Sequence, residues 1–568
     1  MSDRLRGMVL AAGYGTRLAP VTDQVPKPLL TVGNATLLDR ALRTLATAGC
    51  GAAAVNTHHL GGMIAAHLAA AQTPLPVRLF PEAEILGTGG ALHGARDFLA
   101  GAPDFLLHNG DVLWTGTVRD LVDRHRQSGA LATLLLTDWP AVNTVAVAGD
   151  GAVLSLRGQG PETASRLTYT GIGVFARAIL DDIPAGFSSL VDPLERALQA
   201  VPGSVQGVAL PGGEWSDLGT PGRYLSALGT EPETAGPLQV VPLAGQGSDR
   251  RFWRLQAGSW SAVAMLDAPE GEEFAPQVAI TEALNEAQLG AAKLLAVDEP
   301  GRALVMEDLG REDLWTAAAG LCEAPDLWIE LYGPVVDHLV LLQKAGEGAL
   351  GRVPAVRERI LGYEELRGET AYFRERFLHG HLGLPPQETD GLEGEFEDLA
   401  RAVATQPVVV IHRDFQSRNI MLKDGRVRLV DVQGLRRGPL LYDPASLLWD
   451  PYVRMPEPAR RALGDRFAAA VDDGGLTPSR VRAMFLAAAL QRLMQALGAF
   501  GFLGHVKGKR EFLKHIPRAL AHLQLALDEL AGMSDDDAGG RFLPGPLPGL
   551  TTLVDRAVRQ CGPEVTDE

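Results

Sequence analysis

The chain has 568 residues, 46% of them hydrophobic and 21% charged, and a formal net charge of −17. This length exceeds what one hydrophobic core organises and the composition is globular, so we expect at least two domains. The negative charge argues against nucleic acid or an anionic membrane as a partner, and no uninterrupted apolar run reaches the roughly 18 residues that span a bilayer.

The first residues of the sequence and its cysteines indicate the cellular compartment of the protein. The segment MSDRLRGMVLAAG has a short apolar stretch that runs into glycines without a small-residue cleavage site, so we expect no signal peptide. Three cysteines (Cys50, Cys322 and Cys561) are odd in number and widely spaced, which fits neither a disulfide framework nor a zinc site. We therefore expect a cytoplasmic protein.

Residues 1–228 alternate short β-rich runs with helical patterns. The predicted strands are GMVLAA, AAAVNTH, VRLFPE, DFLLHNGD, ATLLLTD, TVAVAGD and YTGIGVF, with helices such as LLDRALRTLATAG between them. This pattern predicts an α/β, Rossmann-like domain on a mainly parallel sheet, with ligands at the carboxyl ends of its strands. The turn-rich residues 229–237 are the predicted linker.

A glycine-rich loop follows the first strand. Gly13 and Gly15 let backbone amides approach triphosphate oxygens, and Thr16 and Arg17 add donors. Lys27 lies between two prolines that stiffen the backbone around it. A lone glycine loop is often an ordinary turn and a lone lysine a surface charge, but together they indicate a phosphate site.

Two aspartates complete this candidate site. Asp111 ends the apolar strand DFLLHNGD, and Asp217 lies in WSDLGTP near the end of the domain. Each alone could be a helix cap or a turn former. As a pair they suit magnesium, which takes one or two carboxylates together with phosphate oxygens.

Residues 238–533 have a different pattern. The strand-like runs LQVVPL, FWRLQAG and SAVAML precede a helix, and long amphipathic helices dominate from Leu314 onward. A small β-rich lobe before a larger helical lobe predicts a bilobal, protein-kinase-like α+β domain. Residues 534–568, with DDDAGG and LPGPLPG, are predicted to be a loop-rich tail.

The segment HRDFQSRN carries the chemistry of this second part. Asp414 precedes Asn419 by five residues, and the strand RVRLVDV delivers Asp431. In this spacing Asp414 accepts or orients the proton of a substrate hydroxyl, while Asn419 and Asp431 hold magnesium on a triphosphate. His412 is expected to support the loop.

Two further segments are candidates for contacts with ATP. ALVMEDLG is the candidate hinge, which binds adenine through its backbone between Met306 and Asp308. AGQGSDRRFWRL, residues 244–255, is the candidate loop over the phosphates.

In this order, LAAGYGTRL, PKPLL, LGTGGAL, NGD, YTGIGVF and WSDLGTP resemble the sugar-1-phosphate nucleotidyltransferase family over residues 7–228. The resemblance implies attack of a sugar 1-phosphate on the α-phosphorus of a nucleotide, with catalytic roles for Lys27 and Arg17. It also implies nucleotide contacts from Gly89 and Asn109, and a sugar contact from Gly171. Trp139 stands where relatives often have a small polar residue, so no sugar contact is assigned there.

Residues 240–530 resemble the aminoglycoside-phosphotransferase-like kinases of small molecules. Within that group, DFQSRN and MLDAP are similar to anomeric kinases of N-acetylmuramate and N-acetylglucosamine, which implies a substrate contact from Arg418. One departure is that SAVAML lacks the usual third-strand lysine. Arg251 and Arg254 are candidate replacements, and the role of Glu286, the usual partner of that lysine, stays open.

A kinase of the anomeric hydroxyl makes the sugar 1-phosphate that the first domain consumes. We therefore expect a bifunctional enzyme of peptidoglycan recycling that uses ATP, UTP and Mg²⁺ and has a sugar and nucleotides as its partners. One alternative is a choline kinase fused to a phosphocholine cytidylyltransferase. Another is a mannose-1-phosphate guanylyltransferase with a lysine-less sensor domain. The sequence leaves the sugar, the base and the oligomeric state open.

Overall fold

The computed structural model describes residues 5–33, 35–209, 215–228, 237–243, 250–268, 270–471, 477–533 and 547–562. Most of the predicted linker, the first half of the candidate phosphate loop and residues 534–546 of the predicted tail lie outside these ranges. The chain forms two compact units, residues 1–269 with 295–307 and residues 270–294 with 308–568.

The first unit begins with a layered α/β structure. Its strands are β1 (Arg6–Leu10), β2 (Thr31–Val32), β3 (Ala35–Thr36), β4 (Ala52–Thr57), β5 (Val77–Pro81), β6 (Asp104–Asn109), β7 (Val112–Trp114), β8 (Ala132–Thr137), β9 (Val145–Val147), β10 (Val153–Ser155), β11 (Ser165–Ala176), β12 (Val205–Val208) and β13 (Trp215–Asp217). Its helices are α1 (Val21–Gln24), α2 (Leu37–Thr47), α3 (Gly61–Ala70), α4 (Gly87–Gly94), α5 (Arg96–Leu99), α6 (Arg119–Ser128), α7 (Val191–Ala200) and α8 (Pro221–Ala227).

A nine-stranded sheet runs in the order β10-β9-β11-β6-β1-β4-β5, and β8 pairs with β11 and with β12. Strands β6, β1, β4 and β5 are parallel, as the alternation of strands and helices predicts. β11 adds an antiparallel part against β6, β8 and β9. The parallel part matters for function because its strands deliver their carboxyl ends to one edge.

A five-stranded sheet completes the first unit. It consists of β14 (Gln239–Leu243), β15 (Arg251–Ala257), β16 (Trp260–Leu266), β17 (Leu294–Asp298) and β18 (Ala303–Glu307), in the order β14-β15-β16-β18-β17. Of these strands, β14, β15, β16 and β18 pair antiparallel. Trp253, Leu255 and Ala264 belong to the same buried cluster as Leu18 and Tyr224 of the α/β part. The two sheets of this unit therefore share a hydrophobic core.

The second unit is mainly helical. Its helices are α9 (Phe274–Glu286), α10 (Leu314–Ala318), α11 (Pro325–Leu350), α12 (Pro354–Arg357), α13 (Tyr363–Phe373), α14 (Glu393–Ala404), α15 (Tyr442–Leu448), α16 (Glu457–Val471), α17 (Pro478–Gly501), α18 (Ile516–Ala531) and α19 (Pro548–Cys561). Two short antiparallel ladders pair β19 (Val408–Ile411) with β22 (Arg436–Pro439), and β20 (Ile420–Lys423) with β21 (Arg426–Leu429).

The central helix of this unit is α17. The helical stretch Pro478–Val506 is long and apolar enough to span a membrane, but 83% of its most apolar 18-residue window is buried inside the protein. Buried residues of α13, α14, α15 and α18 belong to the same core as those of α17. The helix is therefore apolar because it is surrounded by other helices.

The end of the chain differs from the loop-rich tail that the sequence predicts. Residues Pro548–Cys561 form α19, and Leu550, Val554 and Ala557 are buried in the helical core. Their spacing of four and three residues puts them on one face of a helix. This helical spacing was missed because the segment LPGPLPG, at the start of the helix, is rich in glycine and proline.

Candidate active sites

The first site is a cavity of about 350 Å³ at the carboxyl ends of β1 and β6. Its lining includes the predicted Gly13, Gly15, Thr16, Arg17, Lys27, Asn109 and Asp111. It also includes Gly87 and Thr88 of the motif LGTGGAL, and Asn56 and Glu82, which were not among the predicted site residues. Asn56 and Glu82 extend β4 and β5 to this edge and hydrogen-bond each other at 2.7 Å.

The glycine-rich loop turns at Gly15, where the backbone requires a glycine. Gly15 has a φ of 67°, in the left-handed region, and a Cβ there would lie 2.9 Å from Cγ2 of Thr22. The hydroxyl of Thr22 donates to the carbonyl of Gly15 at 3.0 Å and fixes the turn. Arg17 follows with a side chain that is 64% exposed, so its guanidinium is available to a phosphate.

Lys27 lies between the two predicted aspartates. Its Nζ is 2.7 Å from Oδ2 of Asp111 and 3.6 Å from Oδ1 of Asp217, and its side chain is only 7% exposed. A buried ammonium between two carboxylates is a fixed charge, whereas a surface lysine is mobile and solvated. The structure thus brings together three residues that are far apart in the sequence.

A short ladder explains this convergence. β13 pairs antiparallel with β7, and Asp217 stands opposite Val112, the residue after Asp111. Two carboxylates that face one point form the donor set that Mg²⁺ takes when phosphate oxygens complete its coordination. Asp111 and Asp217 therefore fit a magnesium ion on a nucleotide.

Asn109 and Gly171 are neighbours in this site. Gly171 has a φ of 82°, and a Cβ there would lie 2.6 Å from Nδ2 of Asn109. Gly89 is different, because its amide donates to the carbonyl of Ser188 at 2.8 Å and it packs against that residue. Gly87 and Thr88 line the cavity beside it.

The second site is built on the loop after β19. Oδ1 of Asp414 accepts a hydrogen bond from Nη2 of Arg492 at 3.0 Å. The backbone carbonyl of Asp414 accepts one from Nδ2 of Asn419 at 2.9 Å. The next strand pair delivers Asp431, whose Oδ1 accepts from Nε2 of Gln433 at 2.6 Å. Asn419 and Asp431 supply an amide and a carboxylate oxygen, donors that a magnesium ion accepts.

The ionisation of Asp414 is set by its neighbours. Burial raises the pKa of this carboxyl, but Arg492, Arg413 and His412 together hold the pKa below the usual value of an aspartate. The pKa of His412 is lowered, chiefly by burial. Asp414 is therefore a carboxylate near neutral pH, as a group that accepts a proton from a hydroxyl must be.

The loop is held in a constrained backbone. Arg413 has a φ of 78° and Asp431 a φ of 61°, both in the left-handed region that non-glycine residues rarely adopt. The amides of His412 and Arg413 donate to Asp443 at 2.5 and 2.9 Å. Nε2 of His412 lies 3.0 Å from the carbonyl of Val430, in agreement with its expected supporting role.

Arg492 and Glu369 were not predicted. Glu369 is buried and accepts from the hydroxyl of Tyr442 at 2.9 Å and from Nε2 of Gln491 at 3.1 Å. Burial raises its pKa, while Arg413, 3.8 Å away, lowers it. The sequence could have indicated a role for Arg492, because this arginine is an isolated cation in the apolar run MFLAAALQRLMQAL.

The remaining candidate residues of the kinase part lie as follows. The guanidinium of Arg418 is stacked on the ring of Trp315, 3.8 Å from its centroid. In the first unit, Met306 lies in β18 opposite Val263. In the second unit, the carbonyl of Asp308 accepts from Nζ of Lys423 at 2.8 Å.

The third strand of the small sheet, β16, contains no lysine. Arg254 on β15 is 7% exposed, and Arg251 lies 5.4 Å from the ring centroid of Trp253. Glu286 pairs with Arg352.

Known proteins are similar to both the N-terminal and the C-terminal part of this chain. The Nucleotidyl transferase family matches residues 6–232, and the Phosphotransferase enzyme family matches residues 239–486. An N-acetylmuramate alpha-1-phosphate uridylyltransferase of Caulobacter vibrioides is 33% identical over 39% of this chain and 94% of its own length. An N-acetylmuramate/N-acetylglucosamine kinase of Pseudomonas aeruginosa is 30% identical over 51% of this chain and 84% of its own length.

A third relative concerns the first half alone. A mannose-1-phosphate guanylyltransferase catalytic subunit beta of Drosophila pseudoobscura pseudoobscura is 29% identical over 39% of this chain and 61% of its own length. The two bacterial relatives are covered over most of their length by different halves of this chain. The chain is therefore an enzyme that joins two families, the nucleotidyl transferases in its N-terminal part and the phosphotransferase enzymes in its C-terminal part.

Proposed function

We propose that the protein is a bifunctional enzyme of sugar salvage in the cytoplasm. Its kinase part phosphorylates the anomeric hydroxyl of N-acetylmuramate or N-acetylglucosamine with ATP. Its transferase part then joins the sugar 1-phosphate to the uridylyl group of UTP and releases pyrophosphate. The observation that carries this proposal is the presence, on one chain, of Asp414 in a kinase loop and of Lys27 between Asp111 and Asp217.

In the kinase step, the anomeric oxygen attacks the γ-phosphorus of ATP and the bond from that phosphorus to the β–γ bridging oxygen breaks. Asp414 takes the proton of the sugar hydroxyl, for which its lowered pKa keeps it ionised. ADP leaves with the electron pair of the broken bond. Asn419 and Asp431 are the residues that would hold magnesium, which neutralises charge on the triphosphate.

In the transferase step, a phosphate oxygen of the sugar 1-phosphate attacks the α-phosphorus of UTP and pyrophosphate leaves. Lys27 is a fixed positive charge where negative charge gathers, and the exposed Arg17 supplies a second cation to the phosphates. Asp111 and Asp217 would hold the magnesium of this site. That ion would lower the repulsion between the two phosphate groups.

The two reactions are joined by their intermediate, since the kinase product is the transferase substrate. Routes of this kind return cell-wall sugars to nucleotide-activated form. The similarity of the N-terminal part to a mannose-1-phosphate guanylyltransferase makes GTP and mannose 1-phosphate the alternative substrates of the transferase step. The motif similarity to choline enzymes keeps CTP and choline as a further pair.

The test uses the full chain with ATP and each of N-acetylmuramate, N-acetylglucosamine, mannose and choline, followed by UTP, GTP or CTP. Product masses and the ³¹P signal of an anomeric phosphate identify each step. We expect ADP and a sugar 1-phosphate from an N-acetyl sugar, then a UDP-sugar and pyrophosphate. Phosphocholine, GDP-mannose, or phosphate on the 6-hydroxyl would overturn the proposal.

A further inference from the structure

Arg223 joins the magnesium carboxylate of the transferase site to an aromatic pair. Its Nη1 lies 2.9 Å from Oδ2 of Asp217, and its guanidinium carbon is 4.3 Å from the ring centroid of Trp139. Trp139 in turn meets Trp215 edge to face, with centroids 4.9 Å apart. No motif of the sequence assigns a role to Arg223 or to Trp139.

The aromatic pair is itself fixed. The indole N–H of Trp215 donates to the carbonyl of Thr170 at 2.9 Å, and the backbone amide of Trp139 donates to Oδ1 of Asn143 at 2.9 Å. A guanidinium that stacks on a fixed ring loses little freedom when it also pairs with a carboxylate. Arg223 is therefore held in one orientation from both sides.

The two oxygens of Asp217 face different partners. Oδ2 faces Arg223, while Oδ1 faces Lys27 at 3.6 Å, on the side of Asp111. Among the residues that the structure describes, Nη2 of Arg17 also lies 3.8 Å from Oδ2, and the proposed function needs Arg17 for the triphosphate. Arg223 thus holds Oδ2, and Oδ1 is the oxygen on the side of Lys27 and Asp111.

We propose that Arg223, fixed on Trp139, is a positioning residue that turns Oδ1 of Asp217 towards the magnesium-nucleotide. This inference rests on the magnesium site of the proposed function. The side chain of Arg223 is 34% exposed, and partly exposed ion pairs add little to stability. Its removal therefore changes the orientation of a ligand group and leaves the fold intact.

The test measures nucleotide binding by calorimetry across a series of free Mg²⁺ concentrations and in EDTA, with the full chain. In Arg223→Gln we expect the Mg²⁺ concentration for half-maximal binding to rise by about tenfold, the usual effect of losing a group that orients a metal ligand. Binding in EDTA stays unchanged. Arg223→Lys and Trp139→Leu shift the Mg²⁺ requirement less, since each keeps one of the two contacts.

Arg196→Gln is the matched control, because this exposed arginine on α7 donates to the carbonyl of Asp182. A wild-type Mg²⁺ requirement in Arg223→Gln, or an equal loss of binding with and without Mg²⁺, would overturn the inference. The series is run with UTP, GTP and CTP, so a wrong choice of base shows in the wild type. Failure of the wild-type chain to bind any of them would overturn the proposed function as well.

Discussion

Nη2 of Arg492, in the middle of α17, donates to Oδ1 of Asp414 at 3.0 Å. The same nitrogen donates to Oε1 of Gln416 at 3.2 Å, and Nε donates to the hydroxyl of Ser446 at 3.0 Å. The central helix of the second unit thus places a cation beside the proposed proton acceptor of the kinase. The side chain of this arginine is only 8% exposed.

Replacing Arg492 by Gln should move the acidic limb of the kinase pH profile upward. Arg492 lowers the pKa of Asp414 while burial raises it, so removing the cation leaves the effect of burial less opposed. As pH falls, Asp414 then takes up a proton at a higher pH than in the wild type, and activity is lost earlier. The measurement is kcat/KM of the kinase against pH.

Arg482→Gln is the control for this experiment. Arg482 lies on the same helix but is 47% exposed and pairs with Glu529 at 3.3 Å. Its pH profile should match that of the wild type. An unchanged acidic limb in Arg492→Gln would show that Arg492 does not set the ionisation of Asp414.

Lys27→Met should abolish the transferase and spare the kinase. The change removes the fixed charge between Asp111 and Asp217, and loss of one preorganised charge costs about 100-fold to 1,000-fold in rate. The variant should also unfold at a lower temperature, because two carboxylates now repel each other. Added Mg²⁺ should raise its Tm more than that of the wild type.

Lys344→Met serves as the comparison, since Nζ of Lys344 donates to the carbonyl of Ala470 far along the chain from the transferase motifs. Its transferase rate should be that of the wild type. If Lys27→Met kept more than a tenth of the wild-type transferase rate, the assignment of Lys27 would be wrong.

Gly171→Ala should slow the transferase through Asn109. Both Gly171 and the control Gly129 have positive φ, 82° and 63°, so an alanine at either costs about 1–2 kcal/mol of stability. The two differ in their surroundings. A Cβ at Gly171 would lie 2.6 Å from Nδ2 of Asn109, whereas a Cβ at Gly129 meets no atom within 4 Å.

We expect both alanine variants to lose stability in thermal unfolding, Gly171→Ala more than Gly129→Ala because its Cβ also meets Asn109. The transferase rate should fall at least about tenfold in Gly171→Ala alone, since a misplaced contact group of this kind costs up to about 100-fold. Equal transferase rates in the two variants would remove Asn109 and Gly171 from the site.

Asp298→Ala should weaken the transferase although Asp298 lies outside the predicted transferase domain. Its Oδ2 accepts from the amide of Gly222 at 2.8 Å and its Oδ1 from the amide of Gly301 at 3.0 Å. Gly222 is the second residue of α8, the helix that carries Arg223. Loss of a cap of this kind costs about 1–2 kcal/mol of stability, and it should also raise the Mg²⁺ requirement of nucleotide binding.

The control is Asp150→Ala, an exposed aspartate whose Oδ1 accepts from the amide of Ala152 in a turn. It should leave nucleotide binding unchanged. If Asp298→Ala bound nucleotide and Mg²⁺ as the wild type does, the small sheet would have no influence on the transferase site.

Seven strands of the α/β part correspond to predicted runs, namely β1, β4, β5, β6, β8, β9 and β11. The strands that were missed, β2, β3, β7, β10, β12 and β13, are too short to show a pattern. The glycine loop, Lys27 and Asp111 follow from local patterns, and the structure places them in one cavity. The pairing of β7 with β13 could not be predicted, because two strands of three residues about a hundred positions apart carry no signal for each other. That ladder is what brings Asp217 to Asp111.

The roles of Arg223, Arg492 and Glu369 were missed for a related reason. Each is a single polar residue on a helix, and its partner is set by how that helix packs. The sharing of one core by both sheets of the first unit was missed as well, because the turn-rich residues 229–237 suggested a boundary there. A turn-rich composition predicts where a linker lies, but it does not show which residues on either side of the linker pack together.

The proposed function places two consecutive activities on separate residues of one chain. The most direct measurement is UDP-sugar formation from N-acetylmuramate, ATP and UTP by Asp414→Asn and Lys27→Met, each alone and then mixed. We predict no UDP-sugar from either variant alone, accumulation of the sugar 1-phosphate with Lys27→Met, and restored UDP-sugar formation in the mixture. UDP-sugar from Asp414→Asn alone, or no sugar 1-phosphate from Lys27→Met, would contradict the account.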